Sequence, residues 1–229
     1  MAGAVLLDLD DTLIDGAGLA AGTLAACRTL AAELGTEPTD LAADVSAVFA
    51  RLWAVHEQDW ILGRIDDLEL TSAVWAELLA TRDRPAADAT RLAGVHLAAL
   101  HSSYSAFSDV ASFLDAAQDA GLALAVVTNG STIAQRAKID LIGRERFASI
   151  VVSAEHGIAK PDAALFRIAL DELGVASAAA IHIGDHPVND VEGAQRAGIR
   201  ALLLDRAGAT PLGPVVAHDL GGVRALLGI

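Results

Sequence analysis

The chain has 229 residues, and its 30 acidic against 16 basic side chains give a formal net charge of −14. This acidity argues against binding to nucleic-acid polymers, whose affinity depends on clustered Lys and Arg. A hydrophobic content of 53% supplies a sizeable core and argues against disorder. The composition therefore indicates a folded protein that does not bind long polyanions.

Cys27 is the only cysteine, which excludes an intrachain disulfide or a cysteine-rich metal site and favours a reducing compartment. The apolar start of the chain lacks a basic region and is interrupted by Asp8, so it does not have the pattern of a signal peptide. The longest run without charged residues or histidine, residues 120–135, is too short and too polar to cross a bilayer. We expect a soluble cytoplasmic protein with no membrane contact, either a monomer or a homodimer.

The first predicted element is a buried strand, Ala4–Leu9, whose end is acidic. Amphipathic helical patterns follow, with no convincing strand between them, at 19–34, 40–60, 67–81 and 85–104. A helical insertion of this length after one strand predicts a second domain that folds separately. We expect this domain to cover residues 18–106.

From residue 107 onward, strand and helix patterns alternate. The predicted strands are 122–128, 149–152, 178–184 and 200–204, and the predicted helices are 110–120, 133–142, 163–173 and 188–197. This alternation indicates βαβ units and a parallel sheet. The predicted fold class is α/β, with a core of residues 1–17 and 107–229 and an inserted all-helical domain.

Polar residues follow the ends of four predicted strands, where ligands of open α/β sheets bind. Clustered carboxylates repel one another unless a cation lies among them, and an oxygen-only set suits Mg²⁺ better than Zn²⁺. A metal, a lysine, a hydroxyl and backbone amides together can receive a phosphoryl group. The candidate residues are Asp8, Asp10, Thr128, Asn129, Lys160, Asp185 and Asp190.

Each part of this set also has a purely structural interpretation. The acids can cap turns and helices, Thr128 can be an ordinary strand residue, and Lys160 can be a surface residue before Pro161. Their shared position at strand ends favours one common site over separate coincidences.

Four segments carry a resemblance to a known family: DLDDTL at 8–13, VVTNG at 126–130, GIAKPD at 157–162 and GDHPVND at 184–190. They resemble the four motifs of the haloacid dehalogenase-like (HAD) hydrolase superfamily. The resemblance implies a Rossmann-like core, and the helical insertion between the first two motifs resembles a C1 cap. The interval between the second and third motifs leaves no room for the larger α/β cap of other branches.

The resemblance implies a role for each motif residue. Asp8 would attack phosphorus to form an aspartyl-phosphate, and Asp10 would protonate the leaving oxygen and then activate water. Thr128 and the backbone amide of Asn129 would bind phosphoryl oxygens. Lys160 would neutralise the charge that grows in the transition state.

The same resemblance implies Mg²⁺ as the cofactor. Asp8, Asp185 and the backbone carbonyl of Asp10 would bind it, and Asp190 would orient Lys160 or a water on the metal. Haloacid dehalogenases resemble this chain in architecture but lack an acid at the position of Asp10, because a halide leaving group needs no proton. The acid at this position therefore favours a phosphatase.

The resemblance thus implies hydrolysis of a small phosphorylated metabolite, a phosphate monoester such as a sugar phosphate or a nucleoside monophosphate. Two alternatives stay open. A phosphomutase of the β-phosphoglucomutase type would need an acid or base from the cap near the site. A non-catalytic HAD-like module that binds a phosphorylated ligand or a protein would be expected to lack a motif residue.

Other polar residues near the motifs have weaker claims. His186 is expected to be a polar loop residue, and His182 a satisfied core histidine. Trp60, Arg64 and Glu69 surround a predicted turn of the cap. Arg64 is the candidate for a substrate contact because its guanidinium suits carboxylate or phosphate, and a solvated arginine is the alternative.

Overall fold

The computed structural model describes residues 3–208 and 216–229. Its elements are, in chain order, β1 (Ala4–Leu7), β2 (Ile14–Asp15), α1 (Gly18–Leu34), α2 (Pro38–Ile61), α3 (Asp67–Ala80), α4 (Ala89–Ser103), β3 (Ser105–Ala106), α5 (Val110–Asp119), β4 (Ala123–Thr128), α6 (Thr132–Leu141), β5 (Ser149–Val152), α7 (Ser153–His156), α8 (Ala163–Leu173), β6 (Ala180–Gly184), α9 (Gly193–Arg196), β7 (Arg200–Leu204), β8 (Val216–Ala217) and α10 (Leu220–Leu227).

A six-stranded sheet in the order β5-β4-β1-β6-β7-β8 forms the core. All neighbouring strands in it are parallel. Parallel neighbours need crossover connections, and the helices of those connections bury both faces of the sheet. This confirms the predicted α/β class and parallel sheet. β8 is the one strand of this sheet that the sequence patterns did not indicate.

Successive residues of β1 pack on opposite faces of the sheet. Val5 and Leu7 belong to a core that also contains residues of α5 and α10. Ala4 and Leu6 belong to a second core that contains residues of α8 and α9. Complete burial on both faces explains why β1 is a continuous apolar run instead of an alternating one.

Helices α1 to α4 pack around a third hydrophobic cluster of their own, which includes the fully buried Cys27, Leu41, Trp75 and Leu92. The chain leaves and re-enters the α/β part at one place, where β2 and β3 pair in antiparallel orientation. This small ribbon was not predicted because its strands are too short to show a periodicity. The domain boundaries at residues 17/18 and 106/107 stay a prediction.

Several predicted boundaries were wrong for local reasons. β1 ends at Leu7, because the backbone then turns so that the amides of Leu13 and Ile14 both donate to the carbonyl of Leu9. The predicted helix 188–197 is a π-helical turn, Pro187–Glu192, followed by α9. The predicted helix 85–104 begins with a separate 3₁₀ turn, and α10 was not predicted.

Throughout residues 3–208 and 216–229, every helix falls short of the length and apolar character that crossing a lipid bilayer requires.

Candidate active site

The loops after β1, β4, β5 and β6 meet at one edge of the sheet. Because β1 lies between β4 and β6, the residues that follow these strands become neighbours there. A cavity of about 170 Å³ opens at this edge. All seven candidate residues line it, together with three further side chains: Asp8, Asp10, Asp11, Thr128, Asn129, Lys160, Asp185, His186, Asn189 and Asp190.

Lys160 lies at the centre of this cluster. Its Nζ is 2.6 Å from Asp8 Oδ1 and 2.6 Å from Asp190 Oδ1, and all three side chains are buried. Burial alone would lower the pKa of Lys160, but Asp190 and Asp8 outweigh it and hold that pKa above its usual value. Lys160 is therefore a charged donor shared by two carboxylates.

The backbone of Lys160 is fixed by the side chain of Asn129. Asn129 Oδ1 accepts from the Lys160 amide at 2.8 Å, and its Nδ2 donates to the Lys160 carbonyl at 3.0 Å. These reciprocal bonds connect the loop after β4 to the segment after α7. The sequence assigned Asn129 a role through its backbone amide and did not indicate this role of its side chain.

Asp190 is fully buried and accepts hydrogen bonds at both oxygens. Besides Lys160, Oδ1 contacts His182 Nε2 at 3.0 Å, and Oδ2 accepts from the His186 amide at 2.9 Å. Burial opposes its ionisation, but Lys160 and His182 outweigh burial and hold the pKa of Asp190 below its usual range. The protein itself therefore supplies hydrogen-bond donors to both oxygens of Asp190.

His182 is buried within β6, as expected of a core histidine, but its partner is a site residue. An ionised carboxylate can only accept, so the His182 Nε2 atom carries the hydrogen toward Asp190. Burial lowers the pKa of this imidazole. An ionisable residue within an otherwise apolar buried strand was the signal that could have identified His182.

His186 has the loop role that the sequence predicted. Its Nδ1 accepts from the amides of Val188 and Asn189, each at 3.1 Å, and so caps the turn that carries Asp190.

The donor set fits a hard cation. Among the described residues, the carboxylates of Asp8, Asp185 and Asp190 offer oxygens that lie within 4.8 Å of one another. Burial, together with the negative charge of Asp190, raises the pKa of both Asp8 and Asp185, although Lys160 acts against this rise. Both oxygens of Asp190 already accept from protein donors, so Asp8 and Asp185 are the carboxylates that could hold a hard cation.

Both oxygens of the Asp10 carboxylate accept hydrogen bonds from side chains of α6. Its Oδ1 accepts from Lys138 Nζ at 2.7 Å, and its Oδ2 accepts from Gln135 Nε2 at 2.8 Å. Gln135 Nε2 also lies 2.6 Å from Thr128 Oγ1. The sequence motifs did not indicate Gln135 or Lys138.

The inserted helices α1 to α4, here called the cap, contact the core beside the second motif. Ser153 Oγ donates to the Ile61 carbonyl at 2.6 Å and accepts from the Gly130 amide at 2.9 Å. Asp67 accepts from the Ser131 hydroxyl and, at 2.8 Å, from Trp60 Nε1. These hydrogen bonds join α2 and α3 of the cap to the loop that presents Thr128 and Asn129.

Gly130, the glycine of the VVTNG segment, is required at its position for steric reasons. Gly130 has a φ of 147°, and a Cβ there would lie 2.8 Å from Gln135 Cδ and 3.0 Å from Trp60 Cη2. The close approach of the cap to this loop therefore requires glycine at this position.

The cap residue proposed for substrate contact lies elsewhere. Arg64 is 66% exposed at its side chain and pairs with Asp59 at 3.0 Å, so the alternative of a solvated arginine describes it. Glu69 forms a capping box with Asp66 at the start of α3. The cap residues that lie near the site line a neighbouring cavity of about 800 Å³, whose polar lining includes Glu57, Gln58, Asn129, Lys160, Asn189 and Arg196.

A further anchor holds the loop after β1. Arg206 donates to the Thr12 carbonyl at 2.8 Å and 3.1 Å, pairs with Asp109 at 3.0 Å, and lies over the Phe107 ring at 3.8 Å. Burial opposes ionisation of Asp109, but Arg206 outweighs it and lowers the pKa of this carboxyl. Arg206 was not predicted as part of the site.

The fold and the site define an α/β protein with a polar site at the carboxyl edge of a Rossmann-like sheet. The family model for haloacid dehalogenase-like hydrolases matches residues 2–198, and the chain belongs to this family.

Similar proteins support this membership. A phosphoserine phosphatase of Thermus thermophilus is 43% identical over 118 residues, which cover 51% of this chain and 47% of that protein, so the match spans about half of that relative. A glyceraldehyde 3-phosphate phosphatase of Methanopyrus kandleri is 29% identical over 211 residues, covering 89% and 84%. The structure of a 2-haloacid dehalogenase from Pseudomonas syringae matches with a TM-score of 0.74 and 28% identity, covering 100% and 99%.

Proposed function

We propose that this chain is a Mg²⁺-dependent phosphatase that hydrolyses small phosphate monoesters through an aspartyl-phosphate intermediate. The observation that carries the proposal is the Lys160 ammonium, which contacts Asp8 in a buried cluster that also contains Thr128. The phosphatases named above support the same reaction class.

Asp8 is the nucleophile. Its Oδ1 accepts from Lys160, so the other oxygen is available to form a bond to phosphorus while the bond from phosphorus to the leaving oxygen breaks. Lys160 and the Thr128 hydroxyl donate to phosphoryl oxygens as their charge grows. Asp10 gives its proton to the leaving oxygen and later takes one from the water that hydrolyses the intermediate, which restores both carboxyl groups.

Asp8, Asp185 and the backbone carbonyl of Asp10 would hold Mg²⁺, which when bound offsets the repulsion between the carboxylates and a phosphate dianion. The pKa values of Asp8 and Asp185, raised by burial and by Asp190, support a cation here, because both groups must be ionised to act.

The substrate is a small polar phosphate monoester. The 800 Å³ cavity shares Asn129, Lys160 and Asn189 with the smaller one, and its polar lining from Glu57 and Gln58 suits a hydrophilic leaving group. Sugar phosphates and nucleoside monophosphates belong to this class, as do phosphoserine and glyceraldehyde 3-phosphate. A cytoplasmic location and a monomeric or dimeric state stay predictions.

Phosphate release from a panel of these esters, with and without Mg²⁺, tests the proposal. We expect turnover that needs Mg²⁺ and is abolished by Asp8→Asn, whereas Asp140→Asn on the surface of α6 retains it. A panel without turnover, or an Asp8→Asn variant equal to wild type, would contradict the proposal.

A phosphomutase is the second candidate, because Glu57 is a cap acid in the neighbouring cavity. It predicts that a sugar phosphate with catalytic sugar bisphosphate is isomerised without net phosphate release, and that Glu57→Gln abolishes the isomerisation. Stoichiometric phosphate release under the same conditions excludes the mutase.

A further inference from the structure

Gln135 and Lys138 lie three residues apart on α6, so their side chains share one face of the helix. Both are buried: Gln135 is 0% exposed and Lys138 is 7% exposed. A lysine is rarely buried to this degree without a partner of opposite charge. The partner of Lys138 is the carboxylate of Asp10.

The Lys138 ammonium is held on several sides. Nζ donates to Asp10 Oδ1 at 2.7 Å and to Gln135 Oε1 at 2.8 Å. It also lies 5.2 Å from the centroid of the Tyr104 ring, within the range of a cation–π contact. The ammonium is therefore fixed between the cap end at Tyr104 and the loop after β1.

Lys138 also determines how the Gln135 amide is oriented. An ammonium cannot accept a hydrogen bond, so the Gln135 atom that faces it must be Oε1. Nε2 is then directed to Asp10 Oδ2 at 2.8 Å and Thr128 Oγ1 at 2.6 Å. Because Thr128 Oγ1 accepts from this amide, its own hydrogen is the one left to donate, and in this structure it faces the Asn129 carbonyl at 3.5 Å.

We propose that Gln135 and Lys138 are a positioning pair that holds the proton-transfer carboxyl of Asp10 and the phosphate-binding hydroxyl of Thr128 in a fixed relation. This inference rests on the proposed phosphatase function. Neither residue lines the two cavities at the site, so both act through residues that do. The pair acts through Asp10, whose two oxygens it anchors separately, and through Thr128, whose donor direction it sets.

Loss of the pair leaves the other groups of the site in place. Asp8, Lys160 and Asp190 form their cluster without Gln135 or Lys138. The Asp10 side chain is 41% exposed, so water can solvate it when Lys138 is replaced. A substitution at Lys138 therefore disturbs proton transfer to the leaving oxygen and leaves the nucleophile and its charge partner in position.

The test uses two esters that differ in their need for a proton. An aryl ester such as 4-nitrophenyl phosphate releases a stable phenolate, whereas an alkyl phosphate releases an alkoxide that must be protonated. We expect Lys138→Met to lower kcat/KM for the alkyl ester by about 10²-fold, the lower end of general acid–base contributions, and to change that for the aryl ester much less. A purely structural role would lower both values by the same factor.

Gln135→Glu is the second variant. It keeps the size of the side chain and an acceptor for Lys138, but removes the donor to Asp10 and Thr128. We expect the same selective loss on the alkyl ester and, because the hydroxyl that binds phosphate is no longer oriented, a higher KM for both esters. Arg136→Met is the matched control, since Arg136 lies on the same helix and pairs with Glu155.

The outcomes distinguish a failure of the positioning pair from a failure of the proposed phosphatase function. Wild-type turnover of the aryl ester that is abolished in Asp8→Asn, with equal losses on both esters in Lys138→Met, would overturn the positioning pair alone. A wild-type protein that hydrolyses neither ester overturns both. The pair is supported by a loss of kcat/KM confined to the alkyl ester in Lys138→Met, together with a higher KM for both esters and an additional loss on the alkyl ester in Gln135→Glu. Arg136→Met should show neither effect.

Discussion

The Lys160 ammonium lies 2.6 Å from the Asp190 carboxylate, and their side chains are only 3% and 0% exposed. Removing one partner of such a pair leaves the other charge buried and unpaired. This lowers the free energy of unfolding by more than the intact pair contributes to it.

Lys160→Met is therefore expected to lower the free energy of unfolding at neutral pH by about 3–5 kcal/mol, measured by urea denaturation. The double variant Lys160→Met/Asp190→Asn should recover part of this loss, because it no longer buries an unpaired Asp190. Additive losses in the double variant would show that the two residues act independently.

His96 makes the stability of the cap depend on pH. It is 4% exposed, packs edge-on against Trp75, and has a pKa lowered by burial from 6.5 to about 4. The folded-state pKa lies below the unfolded value, so stability is complete above pH 6.5 and is lost as the pH falls toward 4. The loss is on the order of 3 kcal/mol.

Urea unfolding between pH 4 and pH 7 measures this loss. In His96→Leu the loss of stability between pH 7 and pH 4 should shrink by the part that comes from the one proton that His96 takes up on unfolding. An unchanged pH dependence in His96→Leu would show that the imidazole is protonated in the folded protein.

Asp67 connects the cap to the core through Ser131 and Trp60. We expect Asp67→Ala to lower the free energy of unfolding by about 2 kcal/mol, because hydrogen bonds to a charged group are among the stronger ones. Amide hydrogen exchange in residues 128–134 should become faster as the cap contact is lost. Asp66→Ala, at the N-cap of the same helix, should lower stability by about 1 kcal/mol without accelerating that exchange. Equal exchange in the two variants would refute the contact.

Asp11 occupies a backbone conformation that favours glycine. Its φ is 54°, in the left-handed region where most L-residues are strained. We expect Asp11→Gly to be more stable than Asp11→Ala by about 1 kcal/mol in thermal or urea unfolding. The same two substitutions at Asp140, inside α6, should rank in the opposite order because glycine weakens a helix. Equal stability of the two Asp11 variants would contradict this interpretation.

The sheet and the residues that line the cavity were predictable because both follow from strand patterns. Asp8, Thr128 and Asp185 end or follow strands, and the ends of parallel strands necessarily meet. His182 and Gln135 were not predictable in this way. One lies inside a strand and the other inside a helix, so their contacts depend on how elements pack, which the local sequence does not encode.

The same limit applies where the chain enters and leaves the cap. The β2–β3 ribbon pairs residues about 90 positions apart in the sequence, and each strand has two residues, too few for any periodicity. Arg206 donates to the Thr12 carbonyl although the two residues are far apart in the sequence, and no motif indicates this contact.

The chain contains two lysines, and both are buried at the site, with Lys160 5% and Lys138 7% exposed. A reagent that modifies lysine amines therefore finds no exposed lysine side chain on the folded protein. Modification of either lysine requires the cavity to open or the chain to unfold. Mass spectrometry of the labelled peptides would then measure how often Lys138 and Lys160 each become accessible to the reagent, without any residue introduced for labelling.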